Sequence, residues 1–156
     1  MKSKTPGREF AFKFLFQLFI KENSELKNAF LDGAMGAADL EESILEFRES
    51  YTAHDEEHPD NQIDDGNWFF ANKLIQGVAK HMTENEEIIR KETKRENLDN
   101  LEKIERCVLL IGTEELKHFD TPYQVVINEL VELAKKYGNA QSGRFVNGVL
   151  DGIRAK

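Results

Sequence analysis

LEKIERCVLLIGTEELKH (residues 101–118), TPYQVVINELVELAKKYG (121–138) and QSGRFVNGVLDGI (141–153) decide the fold class. In the first stretch Leu101, Ile104, Val108, Leu109, Ile111 and Leu116 recur at three- and four-residue spacing, the period of one face of an α-helix. Cys107 lies on the same face, which predicts a buried core thiol. In the second, Thr121-Pro122 reads as an N-cap followed by proline in the first turn. Val125, Val126, Ile127, Leu130, Val131, Leu133 and Ala134 supply the apolar face, and Gly138 stops the helix. The third stretch is expected to bury Phe145, Val146, Val149 and Leu150. Three consecutive helices with short connections predict an all-α protein.

The same reading extends toward the N-terminus. Thr5-Pro6 again reads as a cap with proline behind it, opening a helix from Arg8 through Phe10, Phe12, Phe14, Leu15, Phe16, Leu18, Phe19 and Ile20. A helix apolar around so much of its circumference belongs inside a bundle. Residues 24–31 and 37–51 read as two more helices, and Trp68, Phe69, Leu74, Ile75 and Val78 mark another. Thr83-Glu84-Asn85-Glu86 reads as the capped start of a shorter one running to Lys94. The expectation is a single domain, 1–156, a compact bundle of about seven helices in two packed halves, about 1–81 and 82–156, with an acidic solvated loop at 52–65.

Composition agrees. With 40% hydrophobic and 32% charged residues in a chain of 156, there is enough apolar surface for one core. One cysteine excludes an internal disulfide framework and an all-cysteine zinc site. No apolar run approaches the roughly 20 residues needed to span a bilayer, so the expected compartment is the cytoplasm, away from membranes. His54 and His58 stand four residues apart, but their acidic, proline-flanked setting reads as loop and not as a metal site. No phosphate-binding glycine loop or nucleophile motif is present, and the expectation is no enzyme, no cofactor and no metal.

Net charge is −8, but it is unevenly placed. Residues 1–21 hold five bases (Lys2, Lys4, Arg8, Lys13 and Lys21) against one acid, whereas residues 22–65 hold two bases against fourteen acids. A phosphate backbone responds to the field within a Debye length, about 8 Å at physiological salt, so a basic N-terminus can bind RNA on an acidic protein. A merely solvated helix terminus is the alternative. At the other end, Tyr137, Gln141 and Arg144 stand where two helices meet and could present an aromatic face, an amide and a guanidinium to single-stranded RNA. Phe145 reads equally as core or as stacking platform. Asn128 and Asn147-Gly148 read as structural, the first as a satisfied core polar group and the pair as a site of close helix packing.

Residues 104–118, Thr121-Pro122-Tyr123, Val126-Ile127-Asn128-Glu129, Glu132-Leu133-Ala134-Lys135 and Arg144-Phe145-Val146-Asn147-Gly148-Val149-Leu150-Asp151 together resemble the NusB family of bacterial transcription antitermination factors. The likeness continues over residues 8–18 and is loose between 22 and 100. It implies an all-helical fold of two packed halves without catalysis. It also implies pairing with NusE, a small-subunit ribosomal protein, and binding of boxA RNA in ribosomal RNA operon transcripts within an RNA polymerase antitermination complex. Lys2, Lys4, Arg8, Tyr137, Gln141, Arg144 and Phe145 are the expected RNA-binding residues, and Glu105 the expected contact to NusE. A homodimer that hides the RNA surface until NusE arrives is the rival reading among binding modules. Outside this reading stand an RNA-binding accessory to ribosomal RNA modification, whose catalysis would need a separate subunit, and an acidic structural scaffold.

Overall fold

A computed structural model gives the fold and describes residues 3–20, 25–32, 35–52 and 63–156. The described residues form eight α-helices and no strand: α1 (Thr5–Ile20), α2 (Glu25–Leu31), α3 (Ala37–Thr52), α4 (Asp65–Lys80), α5 (Met82–Thr93), α6 (Lys103–His118), α7 (Tyr123–Tyr137) and α8 (Ala140–Arg154). A short 3₁₀ turn, Leu98–Asn100, leads into α6. The all-α expectation is met.

Helix α6 is the hub. All ten residues from Arg106 to Glu115 are buried, and the helix packs against α1 and α4 as well as α5, α7 and α8. The sequence predicted a one-sided stripe. The helix is instead enclosed over three turns, while the stripe's outer members Ile104 and Leu116 are only half-buried. Gly112 sets one of these close contacts. A Cβ there would stand 2.8 Å from a methyl of Leu150, so α8 can approach α6 only because position 112 has no side chain.

Phenylalanines of α1 tie the N-terminal helices together. The Phe10 ring meets Phe47 of α3 at 5.3 Å and Trp68 of α4 at 5.5 Å, both edge-on, and Phe14 meets Phe47 at 5.6 Å. Edge-to-face rings at these separations gain attraction beyond their buried area, about 0.5–1.5 kcal/mol per pair.

Several helix starts differ from the sequence reading. Thr5 lies inside α1, and its hydroxyl donates to Glu129 of α7, a tertiary contact in place of a cap. The α5 cap position is His81, with Thr83 already inside the helix. Pro122 itself stands at the N-cap of α7. Proline fits there because the first backbone amides of a helix have no intrahelical partner. Of the acidic stretch 52–65, residues 53–62, including His54 and His58, lie outside the described residues. Its C-terminal end is structured: Ile63 packs on the core, and the Asp64 carboxylate accepts from the Asn67 amide at 2.8 Å, capping α4.

Two further readings are corrected. Asn128 is exposed, because α7 turns Val126, Ile127, Leu130 and Leu133 inward and leaves Asn128 on the outer row with Gln124 and Glu132. Asn147 and Gly148 are exposed too, and a Cβ added at Gly148 would meet nothing within 4 Å, so no helix packs there. They extend the outer face of α8 that already carries Gln141, Arg144 and Asp151. No helix is long and apolar enough to cross a membrane, among the described residues.

Candidate nucleic-acid interface

At the N-terminus the basic residues part company. Lys2 lies outside the described residues, and Lys4 is half-buried just ahead of α1. Arg8 is not a surface cation. Its side chain is 3% exposed and that of Glu115 is 0% exposed. The Arg8 Nε donates to Glu115 Oε1 at 2.8 Å, the adjacent Nη2 donates to the other carboxylate oxygen, and the guanidinium lies 5.0 Å from the centre of the Phe70 ring. Glu129 adds a second carboxylate at 3.9 Å. The fork-to-fork geometry directs the charge of Arg8 into the core, and RNA outside would not reach it. This corrects the reading of Arg8 as a phosphate contact.

Where α1 meets the end of α7, Tyr137 is half-buried and stacks on Phe12 at 4.9 Å. Its hydroxyl donates to the Glu9 carboxylate, to which Lys136 also donates at 2.9 Å. Lys13 stands 3.7 Å from the same oxygen. Burial works to raise the Glu9 carboxyl, but the bonds from Tyr137 and Lys136 and the charges of Lys136 and Lys13 outweigh it and hold the group below the usual carboxylate range. Lys13 and Lys136 also approach the Tyr137 ring, at 5.8 and 5.5 Å. Sequence reading did not assign these two lysines to the site, although their i+4 and i−1 relations to Glu9 and Tyr137 were available.

At the start of α8, Asn139 caps the helix by accepting from the Ser142 amide at 2.9 Å. Beside this cap Glu105, Gln141 and Phe145 line one cleft of about 280 Å³, together with Arg95 and Asn139. The structure thus unites an expected partner contact, Glu105, with two expected RNA contacts drawn from a different helix. Phe145 rests against the core, as its packing reading expects, and also lines the cleft, with the Arg95 guanidinium 5.9 Å from its ring centre. Gln141 and Arg144 are exposed, and Arg144 is not among the residues lining the cleft.

Burial, and secondarily the neighbouring Glu102, raises the Glu105 carboxyl against the opposing pull of Ser142 and Arg95. A carboxyl that holds its proton more tightly folded than unfolded makes folding less favourable once pH rises through that group. Glu105→Gln is therefore expected to raise the melting temperature slightly at neutral pH and to lose its advantage below about pH 4, where carboxyls are protonated in both states. A variant less stable than its parent at neutral pH would show that the charge is stabilising.

The architecture is that of an all-α helical bundle, and its α7–α8 corner brings together an aromatic ring flanked by lysines, a capped helix start, and an exposed face of amide and guanidinium groups. The NusB family model matches residues 5–155, and the chain belongs to the NusB family. It is 33% identical over 148 residues to the transcription antitermination protein NusB of Thermodesulfovibrio yellowstonii, covering 94% of this chain and 88% of that relative. A relative of the same name from Azoarcus sp. (strain BH72) is 58% identical over 60 residues, 38% of this chain and 39% of that one. In that match, as in others that reach about 60% of their relatives, the chain spans only part of the curated protein's length. Among solved structures, T. maritima NusB superposes with a TM-score of 0.71 at 28% identity, covering 99% of this chain and 92% of that one.

Proposed function

We propose that the chain is a non-catalytic, RNA-binding transcription antitermination factor. In this reading it pairs with NusE and binds boxA RNA in ribosomal RNA operon transcripts as part of an RNA polymerase antitermination complex in the cytoplasm. The observation that carries the proposal is the α7–α8 corner in a chain of this family: Tyr137, Gln141, Arg144 and Phe145, four of the seven expected RNA contacts, lie within nine residues around a helix start. Single-stranded RNA is held by bases stacked on aromatic rings and by phosphates at cations and helix N-termini, and this corner offers all three. Lys13 and Lys136 join Lys4 and Arg144 as the cationic complement, in place of Arg8. Glu105, on the α6 side of the cleft that Gln141 and Phe145 line from α8, is assigned to NusE.

Counterion release supplies the test. Replacing Lys4 and Arg144 together with alanine is expected to flatten the dependence of log affinity on log salt by about 0.7 per lost phosphate contact, for boxA and scrambled RNA alike. A folded double variant with the parent's affinity and salt slope would place the phosphate path elsewhere. Light scattering on the free chain separates a monomer from a homodimer covering this corner.

A further inference from the structure

We propose that His81, Glu114 and His118 form a binding site for a divalent cation of the zinc class. Glu114 and His118 are four residues apart on α6, a spacing that places both side chains on one face of the helix, and His81 reaches them from the α4–α5 junction. One ligand atom from each of the three lies within 4.8 Å of the others. His81 Nδ1 stands 3.0 and 3.1 Å from the two Glu114 oxygens. The His81 and His118 rings lie face to face, 3.8 Å apart and 13° from parallel, so the His118 ring must turn out of the stack for both in-plane nitrogens to meet one ion. Zinc bonds of about 2.0–2.2 Å in a tetrahedron set ligand atoms roughly 3.3–3.5 Å apart. The His81–Glu114 pair is already inside that spacing, and the remaining contraction and ring rotation fall on His118, whose side chain is 30% exposed on the last turn of α6.

Two imidazoles and a carboxylate are the donor set that suits zinc better than magnesium or calcium. The Glu84 carboxylate lies 3.7 Å from His118 Nε2, beside the three-residue cluster and not part of it, which leaves the fourth position to water. The surroundings hold the central carboxylate as metal sites hold theirs. Glu114 is 1% exposed, and Asn85, fully buried, donates its Nδ2 to Glu114 Oε1 at 3.0 Å. The Oδ1 of the same Asn85 amide is buried without a hydrogen-bond partner among the described residues. A metal-bound water is the kind of donor this acceptor lacks. On the other side the carboxylate lies against Gly77 of α4, where any Cβ would collide with it. Among the described residues no lysine or arginine pairs with this buried carboxylate, an orphan acceptor lies beside it and His81 stands at hydrogen-bond distance, a setting in which a cation would supply the missing positive charge. The ion would clamp the α4–α5 junction to the last turn of α6.

Zinc titration into the full chain, followed by calorimetry and thermal melting, tests the site. The expected result is one Zn²⁺ per chain and a melting temperature raised by saturating metal. His118→Gln, a change on an exposed side chain, is expected to weaken affinity by at least about 10-fold and abolish the thermal shift while leaving the metal-free melting temperature near the parent's. A His54→Gln/His58→Gln variant should bind as the parent does. Absence of uptake below about 1 mM Zn²⁺ overturns the proposal, since a site of this donor set binds far more tightly. Uptake that survives His118→Gln and is lost in the His54/His58 variant overturns it equally.

Discussion

Replacing Arg8 with alanine is expected to destabilise the protein by about 3–5 kcal/mol, because the Glu115 carboxylate, 0% exposed, would be left in the core without its bidentate partner. Total stability of a domain this size is about 5–15 kcal/mol, so the variant should show a large fall in denaturant midpoint and partial unfolding at ambient temperature. Glu129, at 3.9 Å from the guanidinium, would lose part of its compensation too. The double replacement Arg8→Met/Glu115→Leu removes both charges and is expected to recover most of the loss, since an apolar pair of similar volume does not need to be solvated or paired. If Arg8→Ala instead kept its midpoint and lost affinity for RNA, Arg8 would be a surface contact after all.

Tyr137→Ala is expected to reduce discrimination between boxA and scrambled RNA by about 1–3 kcal/mol, the worth of one base stacked on an aromatic ring. That is roughly 5- to 150-fold in relative affinity. The ring also stacks on Phe12 at 4.9 Å, so part of any loss in Tyr137→Ala is a loss of packing. Tyr137→Phe separates the two effects. It keeps the ring and removes only the hydroxyl bonded to Glu9, so RNA discrimination should survive while stability near neutral pH declines. The Glu9 carboxyl, held low in the fold, contributes stability that is present above the ordinary carboxylate range and fades as pH falls through its lowered value. The stability gap between parent and Tyr137→Phe should therefore close in acid. Equal loss of discrimination in both variants would assign the effect to the hydroxyl and not to stacking.

Helix identity was legible from residue spacing because the apolar period of α6, α7 and α8 is long and regular. The enclosed state of α6 was harder to read, since Arg106, Thr113, Glu114 and Glu115 interrupt its stripe and look like solvent-facing positions. Their presence in an otherwise apolar helix was the available signal: charges inside a core imply partners. For Arg106 one partner, Asp99, is seven positions away, but the partner of Glu115 is far off in sequence. Arg8 and Glu115 are separated by 107 positions, and no local pattern pairs them. Asn128 was misread for a different reason. Its immediate neighbours are apolar, but its helical neighbours at i−4 and i+4 are Gln124 and Glu132, and the three-dimensional row decides exposure. Of the proposed recognition corner, Tyr137, Gln141, Arg144 and Phe145 could be named together from the sequence because they cluster there. The contributions of Lys13, Lys136 and Arg95 come from other elements or from a neighbour read only as helix surface. The His81–Glu114–His118 cluster was invisible for the same reason, with 33 positions between its first two members.

Antitermination by this chain, as proposed, requires a complex with NusE and boxA RNA. Size-exclusion chromatography of the purified chain mixed with NusE and boxA RNA at moderate salt, run beside the same mixture with scrambled RNA, measures it most directly. A single co-eluting species containing all three components with boxA, and markedly less RNA in that species with the scrambled sequence, is the predicted result. A chain that elutes apart from NusE, or that carries the two RNAs equally, would contradict it.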